Sequence, residues 1–269
     1  MKRILYESDE IICFQIQFSK NRDYIVEITG SSTGDPLPTS LDTHYTGYAY
    51  NVVKILTKTQ SHIRHLLHFP CSTSQCHGIP TVGKDISTFL NALNVNKLFL
   101  IGHSKGGIEL LSALMSLVIV PQQIITVSVP ASGTLSANKE RAEVQLNSLE
   151  KLFYRLTFSN NPLDQAISRA TVLEDSGIDM EFIWKKYGHL MTNLISQCPR
   201  GCHIQSPADL VCWYLWRYKD LRLSSTDSLG NDGIVTISSQ KIPYIKNHYI
   251  SAFHSSSLDV AREELKKFL

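Results

Sequence analysis

The chain has 269 residues and a formal charge of +2 from 26 basic and 24 acidic side chains, with 43% of residues hydrophobic and 19% charged. Such a chain suits one large α/β domain with a substantial core, which excludes the collagen, coiled-coil and disordered classes. The near-balanced charge leaves no basic footprint for nucleic acid.

In chain order, residues 3–7 and 10–18 read as two strands, the second alternating Ile12, Phe14, Ile16 and Phe18 on one face. Ser8-Asp9 is the expected turn of an antiparallel hairpin. Glu7, Asp9 and Glu10 interrupt the basic start before any apolar stretch forms, so no secretory signal is expected and the expected compartment is cytoplasmic. A strand at 24–29 runs into the turn-rich segment 30–36, followed by an expected helix at 47–59 and strand at 63–69. A helix at 82–93, a strand at 97–101, an apolar helix at 107–117 and a strand at 124–129 follow. Ser112 and Ser116 break the longest apolar run, 110–120, which is far short of the ~20 residues of a membrane span. Strands alternating with helices imply a mainly parallel, doubly wound sheet. From 136 to 223 the pattern turns helical, which predicts a helical cap inserted into a single domain spanning 1–269. Strands at 234–238 and 244–253 and a helix at 258–269 close the chain.

The segment Gly102-His103-Ser104-Lys105-Gly106 satisfies Gly-x-Ser-x-Gly between an apolar strand and an apolar helix. Glycines let the chain turn sharply there, and the serine takes a strained conformation that exposes its hydroxyl. In these residues the chain resembles the α/β-hydrolase superfamily, and within it the lipases and carboxylesterases. Pro130-Ala131-Ser132-Gly133 and Asn231-Asp232-Gly233-Ile234-Val235 are similar to two further segments of that family. The resemblance implies an α/β-hydrolase fold and a nucleophile, acid and histidine in that chain order, with no cofactor. Ser104 is then the nucleophile and Asp232 the acid, with Asp220 and Asp227 as alternatives on neighbouring loops. His44, His62, His65, His68 and His77 precede the nucleophile and His103 lies within the elbow. His248, after Asn247, and His254, after the last strand, remain as candidate bases, and the family's arrangement favours His254. One oxyanion donor is implied to be the backbone N–H of Lys105. The other is expected from Ser31 in Gly30-Ser31-Ser32-Thr33-Gly34, although this loop begins Thr29-Gly30 where the family usually has His-Gly.

Cys71, Cys76 and His77, with Cys198, Cys202 and His203, invite comparison with a zinc site, but neither pair has the usual Cys-x2-Cys spacing, and unlinked thiols are expected. Phe182, Trp184, Tyr187, Trp213, Tyr214, Trp216 and Tyr218 make the expected cap aromatic, which favours an apolar acyl group. The expected function is therefore ester hydrolysis through an acyl-enzyme, with a small-molecule ester or lipid as substrate. Acyl transfer or thioester hydrolysis on the same residues is an alternative, as is a non-catalytic ligand-binding relative.

Overall fold

A computed structural model describes residues 3–7, 12–15, 23–28, 53–57, 67–68, 79–92, 95–134, 172–198, 204, 209–210, 212–213 and 230–268. Two sheets are present among them. The smaller joins β1 (Arg3–Glu7), β2 (Ile12–Gln15) and β5 (Leu67–His68), with β2 antiparallel to both neighbours. The larger contains β3 (Asp23–Ile28), β4 (Val53–Thr57), β6 (Lys97–His103), β7 (Gln123–Val127), β8 (Met191–Gln197) and β9 (Lys246–Ser251). Its order is β4-β3-β6-β7-β8-β9, parallel throughout except for β4 at one edge.

The apolar strand β6 lies inside this sheet, so both of its faces are buried and its hydrophobicity is continuous. Because successive side chains point to opposite faces, Leu98 and Leu100 join one core and Phe99 and Ile101 another. The first core receives α1 (Ile79–Ala92), α2 (Lys105–Leu114) and α4 (Met180–Tyr187). The second receives Ala261 and Leu265 of α6 (Ser257–Lys266). Helices therefore cover both faces of a mainly parallel sheet. All ten residues of α2 are buried, Lys105 and Glu109 included, which accounts for a helix that is apolar nearly all round. No helix among the described residues is long and apolar enough to cross a membrane.

Three expectations change. Residues 53–57 extend antiparallel to β3 rather than forming part of a helix at 47–59, since backbone pairing with β3 outweighs local helical preference. Part of the expected insertion at 136–223 belongs to the sheet layers themselves. The short helix α3 (Val172–Asp175) and α4 lead through a 3-10 turn, Gly188–Leu190, into β8, which lies between β7 and β9. A strand buried on both faces loses its period of two and is easily mistaken for helix. Residues 135–171 and most of 199–229 lie outside the described residues. Finally, 234–238 is no strand: one bridge, Asn231 to Thr236, closes a turn that leads into α5 (Ile237–Gln240), whose start is capped by Thr236. The Asp232 carboxylate accepts from the N–H groups of Ile234 and Val235, donors that a strand would pair with a neighbour.

Candidate active site

Ser104 sits where β6 meets α2, with φ 56° and ψ −134°. This conformation is rare for a residue with a Cβ. Its N–H donates to the Val127 carbonyl at 3.1 Å, and its carbonyl accepts from the Gly107 N–H at 2.9 Å, so backbone bonds hold the turn on both sides. A Cβ on Gly102 would lie 2.8 Å from the Gly107 Cα, so strand and helix approach as closely as they do because neither carries a side chain there. The close partner is Gly107, one residue beyond the five-residue motif. The Ser104 side chain remains partly exposed at the carboxyl end of the sheet.

β9 ends at Ser251 and α6 begins at Ser257, which leaves His254 on the connecting loop. Its Nε2 lies 2.9 Å from Ser104 Oγ, and its Nδ1 lies 2.8 Å from Asp232 Oδ2. The His254 N–H also donates to the Asp232 carbonyl at 2.9 Å, so the two loops are joined through main chain as well as side chain. Asp232 is fully buried. Burial alone would raise its carboxyl, but the nearby His254 and hydrogen bonds from His254, Ser196 and Val235 outweigh it and hold it below the usual carboxylate range. Four donors reach this carboxylate, and only one of them is the imidazole.

Other candidates fall elsewhere. His248 is exposed on the edge strand β9, six residues before His254. Lys105, the first residue of α2, is buried, and its N–H lies in the first turn of that helix. Ser31, Asp220 and Asp227 lie outside the described residues, as do Cys71, Cys76, His77, Cys202 and His203. Cys198 and Cys212 form no disulfide and lie in a buried cluster with Phe253, flanked by Trp213 and Ile234. Burial pushes the Cys212 thiol up to about 11, against a weaker downward pull from its hydrogen bonds with Ser255, so it stays protonated. Among the described residues no group of histidine, cysteine and carboxylate side chains is arranged to hold a metal.

The expected cap aromatics also divide. Tyr187 belongs to the core and donates its hydroxyl to the Leu117 carbonyl at 2.8 Å. Trp184 is half exposed against Tyr244, with ring centroids 5.9 Å apart, at the amino end of the parallel strands and away from Ser104. Tyr214, Trp216 and Tyr218 lie outside the described residues. The surroundings of Asp232 and His254 are not legible in the sequence. His103 donates from Nε2 to the His254 carbonyl at 2.9 Å, and Ser255 Oγ donates to the buried Asp209 at 2.5 Å.

No family model matches the chain, and no curated protein matches its sequence. Similar solved structures include a lipase-esterase related protein from Clostridium acetobutylicum, 12% identical over 97% of this chain and 100% of that one, with a TM-score of 0.46. A hydrolase from Pseudomonas aeruginosa is 11% identical over 99% and 97%, also at 0.46. The mature form of the Bacillus licheniformis lipase BlEst2 is 15% identical over 76% and 78%, at 0.45, and the chain spans 40% of the propeptide form of that lipase. The chain's own strand order, its helices on both faces and its strained serine between β6 and α2 give it the α/β-hydrolase architecture.

Proposed function

We propose that this protein is a serine-dependent carboxylic-ester hydrolase of the lipase and esterase type. The observation that carries the reading is the continuous row from Ser104 Oγ through His254 to Asp232, with contacts of 2.9 and 2.8 Å. In this reading His254 Nε2 takes the Ser104 proton as the oxygen attacks the ester carbonyl, and later returns it to the leaving alcohol. Asp232 accepts the Nδ1–H, fixing the tautomer that leaves Nε2 free to accept, and stabilises the imidazolium. The Lys105 N–H and Ser31 stabilise the oxyanion, and water then releases the acid from the acyl-enzyme. No step calls for a cofactor.

An apolar acyl group is the substrate class we favour. Its support is the partly exposed Trp213 and Ile234 beside the acid and base loops, together with the aromatic residues that follow Trp213 in the sequence. Burial of each methylene contributes about 0.8 kcal/mol, so kcat/KM should rise by up to about fourfold per methylene over the first few members of an ester series. The test is hydrolysis of p-nitrophenyl esters from acetyl to octanoyl by the wild-type protein and by Ser104→Ala. Turnover that rises with chain length and is abolished in the variant supports the proposal. A strict acetyl preference removes the apolar-acyl clause, and acyl transfer to an added alcohol or thiol in preference to water would place the protein among transferases.

A further inference from the structure

Behind the acid and base lies a file of three buried hydroxyls from three separate elements. Ser196, on β8, donates from Oγ to Asp232 Oδ2 at 2.7 Å. Its Oγ pairs with Ser128 Oγ, just after β7, at 2.5 Å. Ser128 Oγ in turn lies 2.7 Å from Ser257 Oγ, at the start of α6, and Ser257 donates to the His254 carbonyl at 2.9 Å. All three serines are fully buried. Ser128 has φ 53°, a backbone conformation unusual for any residue but glycine. The file leaves Asp232 and returns to His254, whose own N–H donates to the Asp232 carbonyl, so it closes a ring.

Proton counting gives the ring its character. Both ends, a carboxylate and a carbonyl, only accept. Four oxygen-to-oxygen links lie between them, and three hydroxyls supply three protons. With Ser196 committed to Asp232 and Ser257 committed to His254, the single Ser128 proton serves one side or the other. Directed at Ser196, it polarises that hydroxyl and strengthens its donation to Asp232; directed at Ser257, it supports the His254 main chain instead. Ser196 also has Gln240 Oε1 within 3.2 Å as a weaker acceptor, which supplies no proton to its hydroxyl.

We propose that Ser196, Ser128 and Ser257 act together as positioning residues that set how much of the Asp232 carboxylate's accepting capacity is left for His254. The proposal rests on the ester-hydrolase reading for its catalytic consequence, but not for its measurement. The other titratable and charged groups facing the His254 loop are His103 from β6, and Asp209 and Cys212 from the segment beside Ser255, with Glu27 and Arg262 behind. None of them lies on the hydroxyl file, so all stay constant in the comparison.

The two ends of the file should act with opposite sign. In Ser196→Ala the carboxylate loses a donor and accepts more strongly from His254, which favours the imidazolium. The His254 titration followed by NMR should then move to higher pH by about 0.5–1 unit. In Ser257→Ala the Ser128 proton has only Ser196 to serve, Asp232 is better satisfied, and the same titration should move to lower pH by a smaller amount. A merely structural role gives no reason for opposite signs. If Ser196→Ala does not fold, the downward shift in Ser257→Ala decides alone, since alanine is well tolerated in the first turn of a helix. Titrations that coincide with the wild type, or that move in the same direction in both variants, overturn the proposal. Absence of ester turnover in the wild-type protein would instead count against the hydrolase reading and leave the NMR comparison standing.

Discussion

The rings of His103 and His254 lie 5.0 Å apart, inclined by 45°, and the first histidine holds the main-chain carbonyl of the second. A carbonyl only accepts, so His103 Nε2 carries the proton. Burial, followed by the adjacent His254, holds the His103 imidazole down to about 3, against a weaker upward pull from its bond to the His254 carbonyl. The folded form therefore resists a proton that the unfolded chain takes up near pH 6.5. Stability from this source is complete above pH 6.5 and is lost as pH falls from there toward 3, at up to about 1.4 kcal/mol per pH unit. Urea unfolding at pH 7 and pH 5 should show a drop in the wild type that is smaller in His103→Gln. Parallel drops in the two proteins would count against it.

The base is testable by position. His254→Ala should lower ester turnover by several orders of magnitude, since the proton acceptor 2.9 Å from Ser104 is removed. His248→Ala, on the exposed face of the edge strand, should leave kcat/KM within about twofold and stability within about 0.5 kcal/mol. Asp232→Asn keeps the size of the acid but removes its charge and offers the imidazole a donor in place of an acceptor. Its kcat should fall by about 10³–10⁴. Steady-state kinetics on variants with unchanged circular dichroism separates these effects from unfolding, and equal losses in the two histidine variants would refute the placement of the base.

Gly233 follows Asp232 with φ 101°, and a Cβ there would approach the Cys212 carbonyl oxygen to 2.5 Å. Both the dihedral and the space require glycine. Gly233→Ala should cost at least about 2 kcal/mol in urea unfolding and reduce turnover beyond what the unfolded fraction accounts for, because the turn carries Asp232. A variant as stable as the wild type would show that the segment carrying Cys212 yields freely.

Glu27 on β3 is fully buried and receives a two-pronged contact from Arg262 of α6, at 2.6 and 2.8 Å. Removal of one partner leaves an uncompensated charge beneath the helix. Arg262→Met should therefore destabilise by about 2–3 kcal/mol, below the cost of a wholly buried pair because the guanidinium is partly solvated. Adding Glu27→Gln should restore part of that loss, and a double-mutant cycle reads the coupling directly.

Much of the site is written in short stretches whose chemistry is local. Gly102, Ser104 and the apolar strand before them signal a sharp strand-to-helix turn, and Asn231-Asp232-Gly233 signals a tight turn bearing a carboxylate. The position of His254 follows from where the last strand stops. Long-range pairing was not legible. β8 reads as helix because burial on both faces hides its alternation, and β4 is extended only because β3 lies beside it. Ser128, Ser196 and Ser257 carry no sequence signal, since a serine is equally at home on a surface, and they meet only after β7, β8 and helix α6 have assembled. The aromatic residues expected over the active site misled for a related reason. Tyr187 faces the core and Trp184 the far end of the sheet, a distinction that composition does not encode.

The most direct test of the central claim is covalent labelling with a fluorophosphonate, followed by mass spectrometry of the modified peptide. One adduct per chain is expected, on Ser104, formed rapidly by the wild type, absent from Ser104→Ala, and slowed by at least about a hundredfold in His254→Ala. Labelling of a different residue, or a folded wild-type protein that does not react at all, would contradict it.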